Sequence, residues 1–129
     1  ASNTNAIRKL EEERQRIAEL TPEERSAELI AKIDREERDY AAHFFNERLS
    51  HEDEYSETLI ITPSGTFDRQ RRSNDGLLPY IAMFDSVSNS EDLYKFMGRL
   101  SEENPDLNIA LENDPNGKWI KYKATRKTS

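Results

Sequence analysis

Apolar residues recur at helical spacing within the first twenty positions of the chain. Residues 5–20 contain neither Gly nor Pro and carry a narrow apolar stripe. The stripe consists of Ile7, Leu10, Ile17 and Leu20. Arg14 interrupts it, and a helix this polar needs a surface to pack against. The pattern therefore predicts a first helix whose apolar side is covered either by the second helix or by another chain.

A capping box marks the start of a second helix. Thr21 is followed by Pro22 at the first helical position and by Glu24 three residues later. In this arrangement the Thr21 hydroxyl and the Glu24 carboxylate each accept a hydrogen bond from an otherwise free backbone N–H. We expect this helix to extend to about Leu49 and to be best buried at its aromatic end, around Phe45.

After an acidic connector, the pattern changes from helical to extended. Residues 50–57 are acidic or polar for the most part and are predicted to form a solvated linker. Residues 58–62 are a β-branched run, a Pro-Ser-Gly turn follows, and residues 66–69 continue as a partner strand, which predicts a hairpin. Residues 77–84 predict a third strand whose beginning lies at a sheet edge or in a bulge, because it contains Pro79.

The last third of the sequence predicts one helix and two strands. Residues 90–103 show the i, i+3, i+4, i+7 pattern of an amphipathic helix. Its apolar members are Leu93, Phe96, Met97 and Leu100. Gly98 lies inside this helix at a cost of roughly 1 kcal/mol relative to Ala, so we expect it to mark close packing on the sheet. Residues 107–111 and 119–124 alternate apolar with polar positions, as strands do.

The predicted element order is α-α-β-β-β-α-β-β, which belongs to the α+β fold class. We expect an N-terminal helical pair followed by an antiparallel sheet of about five strands with one covering helix. Residues 1–50 are predicted to form a helical hairpin or an extended helical arm. Residues 57–126 are predicted to hold the sheet and its helix, and the two parts to form one continuous domain.

Charge is abundant and unevenly placed along the chain. Charged residues make up 35% of the 129 positions, and the mean hydropathy is -0.97. The net charge is -7, and all of the excess lies in residues 1–57, which hold 16 acids and 9 bases. A chain this polar has a small core, which a partner or a second copy would complete. The charge balance disfavours uniform binding to nucleic acid, because phosphates are repelled by the first half.

Composition also bears on compartment and on membranes. The chain has no Cys, so it has neither disulfides nor a thiolate zinc site, which fits a reducing compartment. No run of about 18 apolar residues exists to span a bilayer, and the N-terminus lacks the hydrophobic core of a signal peptide. We therefore expect a cytoplasmic protein that does not contact membranes.

Catalytic and metal-binding chemistry is weakly represented. His43 and His51 are the two histidines, and His43 shares a helix face with Glu47, but no compact third ligand accompanies them. The sequence has no Cys nucleophile, no Ser elbow motif and no Gly-rich phosphate loop. Among the acids, Asp85 alone follows an apolar run. We expect no enzymatic activity, no cofactor and no bound metal.

Two basic clusters stand out against this acidic background. The first consists of Arg69, Arg71 and Arg72, and the second of Lys118, Lys121, Lys123, Arg126 and Lys127. Trp119 alternates in phase with Lys121 and Lys123, a combination that can grip a phosphate backbone and stack a base. The same strand can instead grip an acidic protein, or form a solvated sheet face on which lysines protect an edge from aggregation.

The sequence is most typical of a non-catalytic protein–protein interaction module of the adaptor, inhibitor, immunity or chaperone kind. Its acidic helical face would steer a basic protein partner. The stripe from Ile7 to Leu20 is a second candidate surface, which could also join two copies of the chain. The alternative is a nucleic-acid-binding domain that uses the turn at Arg69, Arg71 and Arg72 together with the basic C-terminal strand.

Overall fold

The computed structural model describes residues 2–70 and 81–127. It confirms the α+β class, with three α-helices and a three-stranded antiparallel sheet in the described residues. The elements in chain order are α1 (Ser2–Ala18), α2 (Pro22–Leu49), β1 (Glu54–Ile60), a 3₁₀ turn (Ile81–Met83), α3 (Ser90–Glu103), β2 (Leu107–Asn113) and β3 (Trp119–Arg126). No helix in the described part of the chain is both long and apolar enough to cross a membrane.

The chain divides into two compact units, Ala1–Ile33 and Asp34–Ser129, so the division falls inside α2. In the first unit the predicted capping box is present. The Thr21 N–H donates to Glu24 Oε1 at 3.0 Å, and the Glu24 N–H donates to Thr21 Oγ1 at 3.1 Å. This reciprocal pair satisfies two helix-terminal groups and fixes where α2 begins.

The second unit is built around the sheet, whose strand order is β1-β3-β2. Strand β3 is central and antiparallel to both neighbours, with Leu59 of β1 opposite Ile120 and Ile109 of β2 opposite Ala124. Because side chains alternate across a strand, one face of the sheet is apolar. That face carries the fully buried Leu59, Ile120, Tyr122 and Ala124.

The second half of α2 and the apolar side of α3 complete this core. Ala41 and Phe45 of α2 are completely buried, which confirms that the aromatic end of this helix is the buried end. All four members of the predicted α3 stripe are buried as well: Leu93, Phe96, Met97 and Leu100. Burial of each large side chain contributes about 1.5–3 kcal/mol, so the stability of the protein resides mainly in this unit.

The prediction of five strands is wrong for the described residues. The turn after β1 does form, because the Thr62 N–H donates to the Thr66 oxygen at 2.8 Å. However, residues 66–69 make only isolated bridges, Ile61 to Phe67 and Thr66 to Asn89, and no continuous strand. The Asp68 N–H donates to the Ile60 oxygen at 2.8 Å, so residues 60–62 and 66–68 do pair, while the Phe67 N–H donates to the Ser88 oxygen at 2.8 Å on the other edge of this segment.

The predicted third strand and the predicted connector also differ from the structure. Within residues 77–84, positions 77–80 lie outside the described residues, and Ile81–Met83 form a 3₁₀ turn. The predicted connector ends earlier than expected, because β1 already begins at Glu54. Tyr55 and Glu57 of β1 therefore face the core, although the acidic composition of residues 50–57 predicted a solvated linker.

Gly98 does not pack against the sheet, contrary to the prediction. It is exposed, and a methyl group added at its Cα would meet no atom within 4 Å. The helix itself is well started, since the Asn89 side chain accepts a hydrogen bond from the Asp92 N–H at 2.9 Å. Gly98 thus lowers the stability of α3, and no packing contact in the described structure requires a glycine at this position.

Candidate functional site

A buried carboxylate lies between the sheet and the 3₁₀ turn. Glu57 Oε1 accepts hydrogen bonds from the Tyr122 hydroxyl at 2.7 Å and from the Ile81 N–H at 3.0 Å. Its second oxygen has no hydrogen-bond partner among the described residues. Burial raises the pKa of Glu57 to about 7, even though both donors favour the ionised form. The hydrogen bonds of Glu57 thus join β1, β3 and the 3₁₀ turn.

A shallow groove of about 570 Å³ lies in the same unit, and Glu57 is not among its lining residues. Its lining consists of Thr62, Thr66, Phe67, Asp68, Arg69, Gln70, Asp85 and Ser88. Asp85, the acid that the sequence singled out, lines this groove, and its side chain is 83% exposed.

Arg69 has a structural role among the residues that line this groove. Its Nη2 donates to the backbone oxygens of Phe84 at 2.9 Å and Val87 at 3.3 Å, and to Ser88 Oγ at 3.2 Å. These bonds hold the loop before α3 in place, so the guanidinium is engaged within the chain. Arg71 and Arg72, which the sequence grouped with Arg69, lie outside the described residues.

The predicted basic strand lies on the outer face of the sheet, and acids accompany its lysines. Trp119, Lys121 and Lys123 alternate with the buried positions of β3, as predicted. Lys123 Nζ lies 3.3 Å from Glu54 Oε2, and Lys121 is directly opposite Glu112. Because β3 is the central strand, the interpretation that its lysines protect a sheet edge is wrong.

An ion-pair cluster joins α2 to α3 inside the second unit. The Arg38 side chain is 10% exposed and donates to Asp34 Oδ2 at 2.5 Å and to Glu103 Oε1 at 2.6 Å. Arg99, which is 62% exposed, lies 3.0 Å from the same Asp34 oxygen. The closely paired charges of Arg38 and Asp34 offset the cost of their partial burial, so this cluster is part of the scaffold.

Other acids of α2 are likewise engaged within the chain. Both carboxylate oxygens of Glu37 accept backbone hydrogen bonds at 2.8 Å, from Asp85 and Ser86. In the first unit, Glu28 lies 2.9 Å from the Arg16 guanidinium. These contacts separate the structural acids of α2 from those that are available for recognition.

The remaining acids of α2 in the second unit form one exposed face, which we call the acidic face. Its members are Glu36, Asp39, Tyr40, His43 and Glu47. Their spacing places all five on one side of a 3.6-residue helix over about 16 Å. The three carboxylates have no ion pair or side-chain hydrogen bond to any residue within 2–70 and 81–127. The sequence analysis predicted an acidic helical face but did not name its residues. The i, i+3, i+4, i+7 spacing of these residues is the signal that could have identified them.

The predicted N-terminal stripe is exposed in the first unit. Ile7, Leu10 and Ile17 are 56%, 60% and 42% exposed, and Leu20 is partly exposed. Leu29 and Ile30 of α2, which belong to the same unit, are 57% and 66% exposed. The described residues of this unit therefore form two helices without a core of their own.

The two histidines lie near the C-terminal end of α2 and just after it. His43 lies on the acidic face and His51 follows α2, and both are exposed. Within residues 2–70 and 81–127, no three His, Asp or Glu residues are grouped so that they could hold a metal ion.

Comparison with known proteins returned no relative. No protein-family model, no curated protein sequence and no solved structure matches the chain. The chemistry of its own surfaces is therefore the basis on which its function can be inferred.

Proposed function

We propose that this protein is a non-catalytic protein-interaction module that binds a basic protein through the acidic face of α2. The observation that carries the proposal is that Glu36, Asp39 and Glu47 are exposed without a partner among the described residues. By contrast, Glu28, Asp34 and Glu37 are each held by a cation or by backbone N–H groups.

Electrostatics makes this face suited to a cationic surface. Glu36 and Asp39 are one helical turn apart, within the Debye length of about 8 Å at physiological salt, so their potentials add. Glu47 extends the negative charge over about 16 Å of the same helix. Such a face attracts a basic partner and raises its association rate, and the effect weakens as salt is added.

Tyr40 gives the acidic face an apolar centre. Its side chain is 59% exposed, and its ring meets the Phe84 ring edge-on at a centroid distance of 6.3 Å. That contact orients a large side chain at low entropic cost, and tyrosines at the centre of an interface commonly dominate its binding energy. An adaptor, an inhibitor, an immunity protein and a chaperone would each use such a surface.

A capture experiment with charge-matched variants tests the proposal. The face variant carries Glu36→Gln, Asp39→Asn and Glu47→Gln, and the control variant carries Glu102→Gln, Asp106→Asn and Glu112→Gln. Both change the net charge by the same amount. We expect the wild-type and control proteins to capture the same protein from the source cell, and the face variant to lose it.

Salt provides the second readout of that experiment. We expect the captured protein to be basic and to be released as the salt concentration rises from about 0.05 to 0.5 M. Equal capture by the face variant, or capture that is indifferent to salt, would show that the acidic face is not the binding surface.

Nucleic acid is the less favoured partner. Lys121 and Lys123 face Glu112 and Glu54, and Arg69 is engaged by backbone oxygens. If the outer sheet face did bind oligonucleotides, Trp119→Ala and Lys121→Glu would weaken that binding, and its salt dependence would be steep. Absence of retention on DNA or RNA at low salt would remove this alternative.

A further inference from the structure

The turn between β2 and β3, residues 114–118, contains a chemically labile pair of residues. Asn116 is the only asparagine in the sequence that is followed by a glycine. In such a pair the backbone nitrogen of the glycine can attack the side-chain carbonyl carbon of the asparagine, because no Cβ on the glycine hinders the approach. Asn116 is exposed, so water reaches its side chain.

The reaction of such a pair is deamidation, and water is its only co-reactant. The Gly117 nitrogen loses its proton to solvent and forms a bond to Asn116 Cγ, while Asn116 Nδ2 takes up a proton and leaves as ammonia. The product is a cyclic succinimide. Water then opens the ring at either carbonyl carbon, which yields aspartate, or isoaspartate whose main chain runs through Cγ.

The folded turn engages the nitrogen that would attack. The Gly117 N–H donates to the Asp114 backbone oxygen at 2.9 Å and closes a β-turn that has Pro115 at its second position. Asn116, at the third position, does not have a positive φ, which makes this turn type I and not type II. In a type I turn ψ of the third residue is about 0°. This angle directs the Gly117 nitrogen towards the Asn116 nitrogen and away from the side-chain carbon.

The Asp114 side chain stabilises the same turn. Its Oδ1 accepts a hydrogen bond from the Asn116 N–H at 3.2 Å, and its Oδ2 accepts one from the Lys118 N–H at 2.9 Å. The Asp114 N–H also donates to the Trp119 oxygen at 3.0 Å, which joins the turn to the sheet. Release of the Gly117 N–H therefore requires the opening of a turn that several hydrogen bonds hold closed.

We propose that Asn116 is a site of spontaneous deamidation that the folded turn protects, and that Gly117 attacks it only when the turn opens. Local openings of this kind occur in folded proteins without global unfolding. The products no longer fit the turn, because aspartate places a second carboxylate beside Asp114 and isoaspartate inserts an additional carbon atom into the main chain. A transient opening is thereby converted into a lasting change. The turn is not part of the acidic face, so the inference does not depend on the proposed function.

Comparison of the folded protein with an unfolded reference tests the protection. The reference is a synthetic peptide of residues 112–120 in the same buffer, and mass spectrometry of proteolytic fragments follows the conversion of Asn116 from amide to acid. We expect the folded protein to react at least about tenfold more slowly than the peptide. Hydrogen exchange of the Gly117 N–H measures the opening independently. The slowing of deamidation should be at least as large as the protection of this N–H, because the same group must first be released.

Asp114→Ala tests the cause of the protection. The change removes two acceptors of the turn. The rate in the folded protein, divided by the rate of a peptide with the same change, should therefore rise about tenfold. Asp106→Ala, at an exposed position just before β2, is the matched control and should keep the wild-type ratio.

Two further variants complete the test. Asn116→Gln should form almost no acid at this position, because ring closure through the longer side chain is much slower. Circular dichroism checks that each variant folds. If Asp114→Ala does not fold, Pro115→Ala replaces it, because loss of the proline ring makes the open turn more favourable.

Three results would overturn the proposal. The first is a peptide in which Asn116 does not react. The second is a folded protein that deamidates as fast as the peptide, or whose slowing is smaller than the protection of the Gly117 N–H. The third is a normalised rate that the folded turn variant, Asp114→Ala or Pro115→Ala, leaves unchanged.

Discussion

At the scale of single residues, the buried carboxylate of Glu57 determines how stability responds to pH. The pKa of Glu57 is about 7 in the folded protein against an ordinary value of 4.5, because burial disfavours the charged form. Between these two pH values the folded state holds a proton that the unfolded state has released. The free energy of unfolding therefore falls as the pH rises from about 4.5 to about 7, and it levels off above that range.

We expect Glu57→Gln to remove this pH-dependent fall in the free energy of unfolding, which should be on the order of 3 kcal/mol in the wild type. Urea unfolding at pH 5 and pH 8 measures it. Gln keeps the shape and an acceptor oxygen for Tyr122 and Ile81, but it cannot ionise. Glu102→Gln, at an exposed position, is the matched control and should keep the wild-type profile. If Glu57→Gln lost as much stability between pH 5 and pH 8 as the wild type does, a group other than Glu57 would be responsible for the loss.

The contrast between Arg38 and Arg99 provides a second prediction at this scale. Both contact Asp34 Oδ2, but the Arg38 side chain is 10% exposed and that of Arg99 is 62% exposed. Arg38→Ala should lower the free energy of unfolding by about 3 kcal/mol, because it leaves Asp34 partly buried beside a single exposed cation. Arg99→Ala should cost about 1 kcal/mol or less. Chemical denaturation of the two variants compares them, and equal losses would contradict this interpretation of burial.

At the scale of elements, the sequence predicted features that depend on near neighbours. The capping box at Thr21 and the buried stripe of α3 follow from residues three or four positions apart, and both are present. Residues 66–68 pair with residues 60–62 through two backbone hydrogen bonds and one bridge, as the turn chemistry indicates, but they do not form a continuous strand. The other edge of this segment bonds to the loop at Ser88 and Asn89, about twenty residues away in sequence, which turn chemistry could not reveal.

The start of β1 was missed for a related reason. Tyr55, Glu57 and Leu59 alternate on one face, which is a strand pattern, but the surrounding acids favoured a linker. Burial of Glu57 depends on donors from β3 and from the turn at Ile81, which come together only in the fold. The existence of an acidic helical face could be predicted, because the spacing of its residues is helical. Which acids remain unpaired could not be predicted, because their partners come from other elements.

Two glycines allow a matched test of backbone effects in α3 and in the turn before β3. At both Gly98 and Gly117 an added methyl group would meet no atom within 4 Å, but Gly117 has a φ of 72° whereas Gly98 is helical. Gly98→Ala should raise the free energy of unfolding by about 1 kcal/mol. Gly117→Ala should lower it by about 1 kcal/mol, because side chains disfavour positive φ. Thermal unfolding of both variants measures the effects; destabilisation by Gly98→Ala would reveal packing that the fold does not show.

At the scale of the whole molecule, the core and the acidic face lie on opposite sides of the same half of α2. Every residue that is buried in the described structure belongs to the second unit, Asp34–Ser129. The acidic face lies on the outer side of a helix whose opposite side is anchored in that core by Ala41 and Phe45. A rigid helix that presents unpaired charge is suited to recognition, because little conformational freedom is lost on binding.

Site-specific photo-crosslinking in the source cell tests the central claim, that the acidic face of α2 binds another protein, most directly. A photoreactive phenylalanine analogue replaces Tyr40 on this face or Tyr94 on α3, whose side chains are 59% and 43% exposed. Both replacements exchange one aromatic ring for another. We predict a discrete adduct with a second, basic protein from position 40 and none from position 94. Adducts of equal yield at both positions, or no adduct at position 40, would contradict the account.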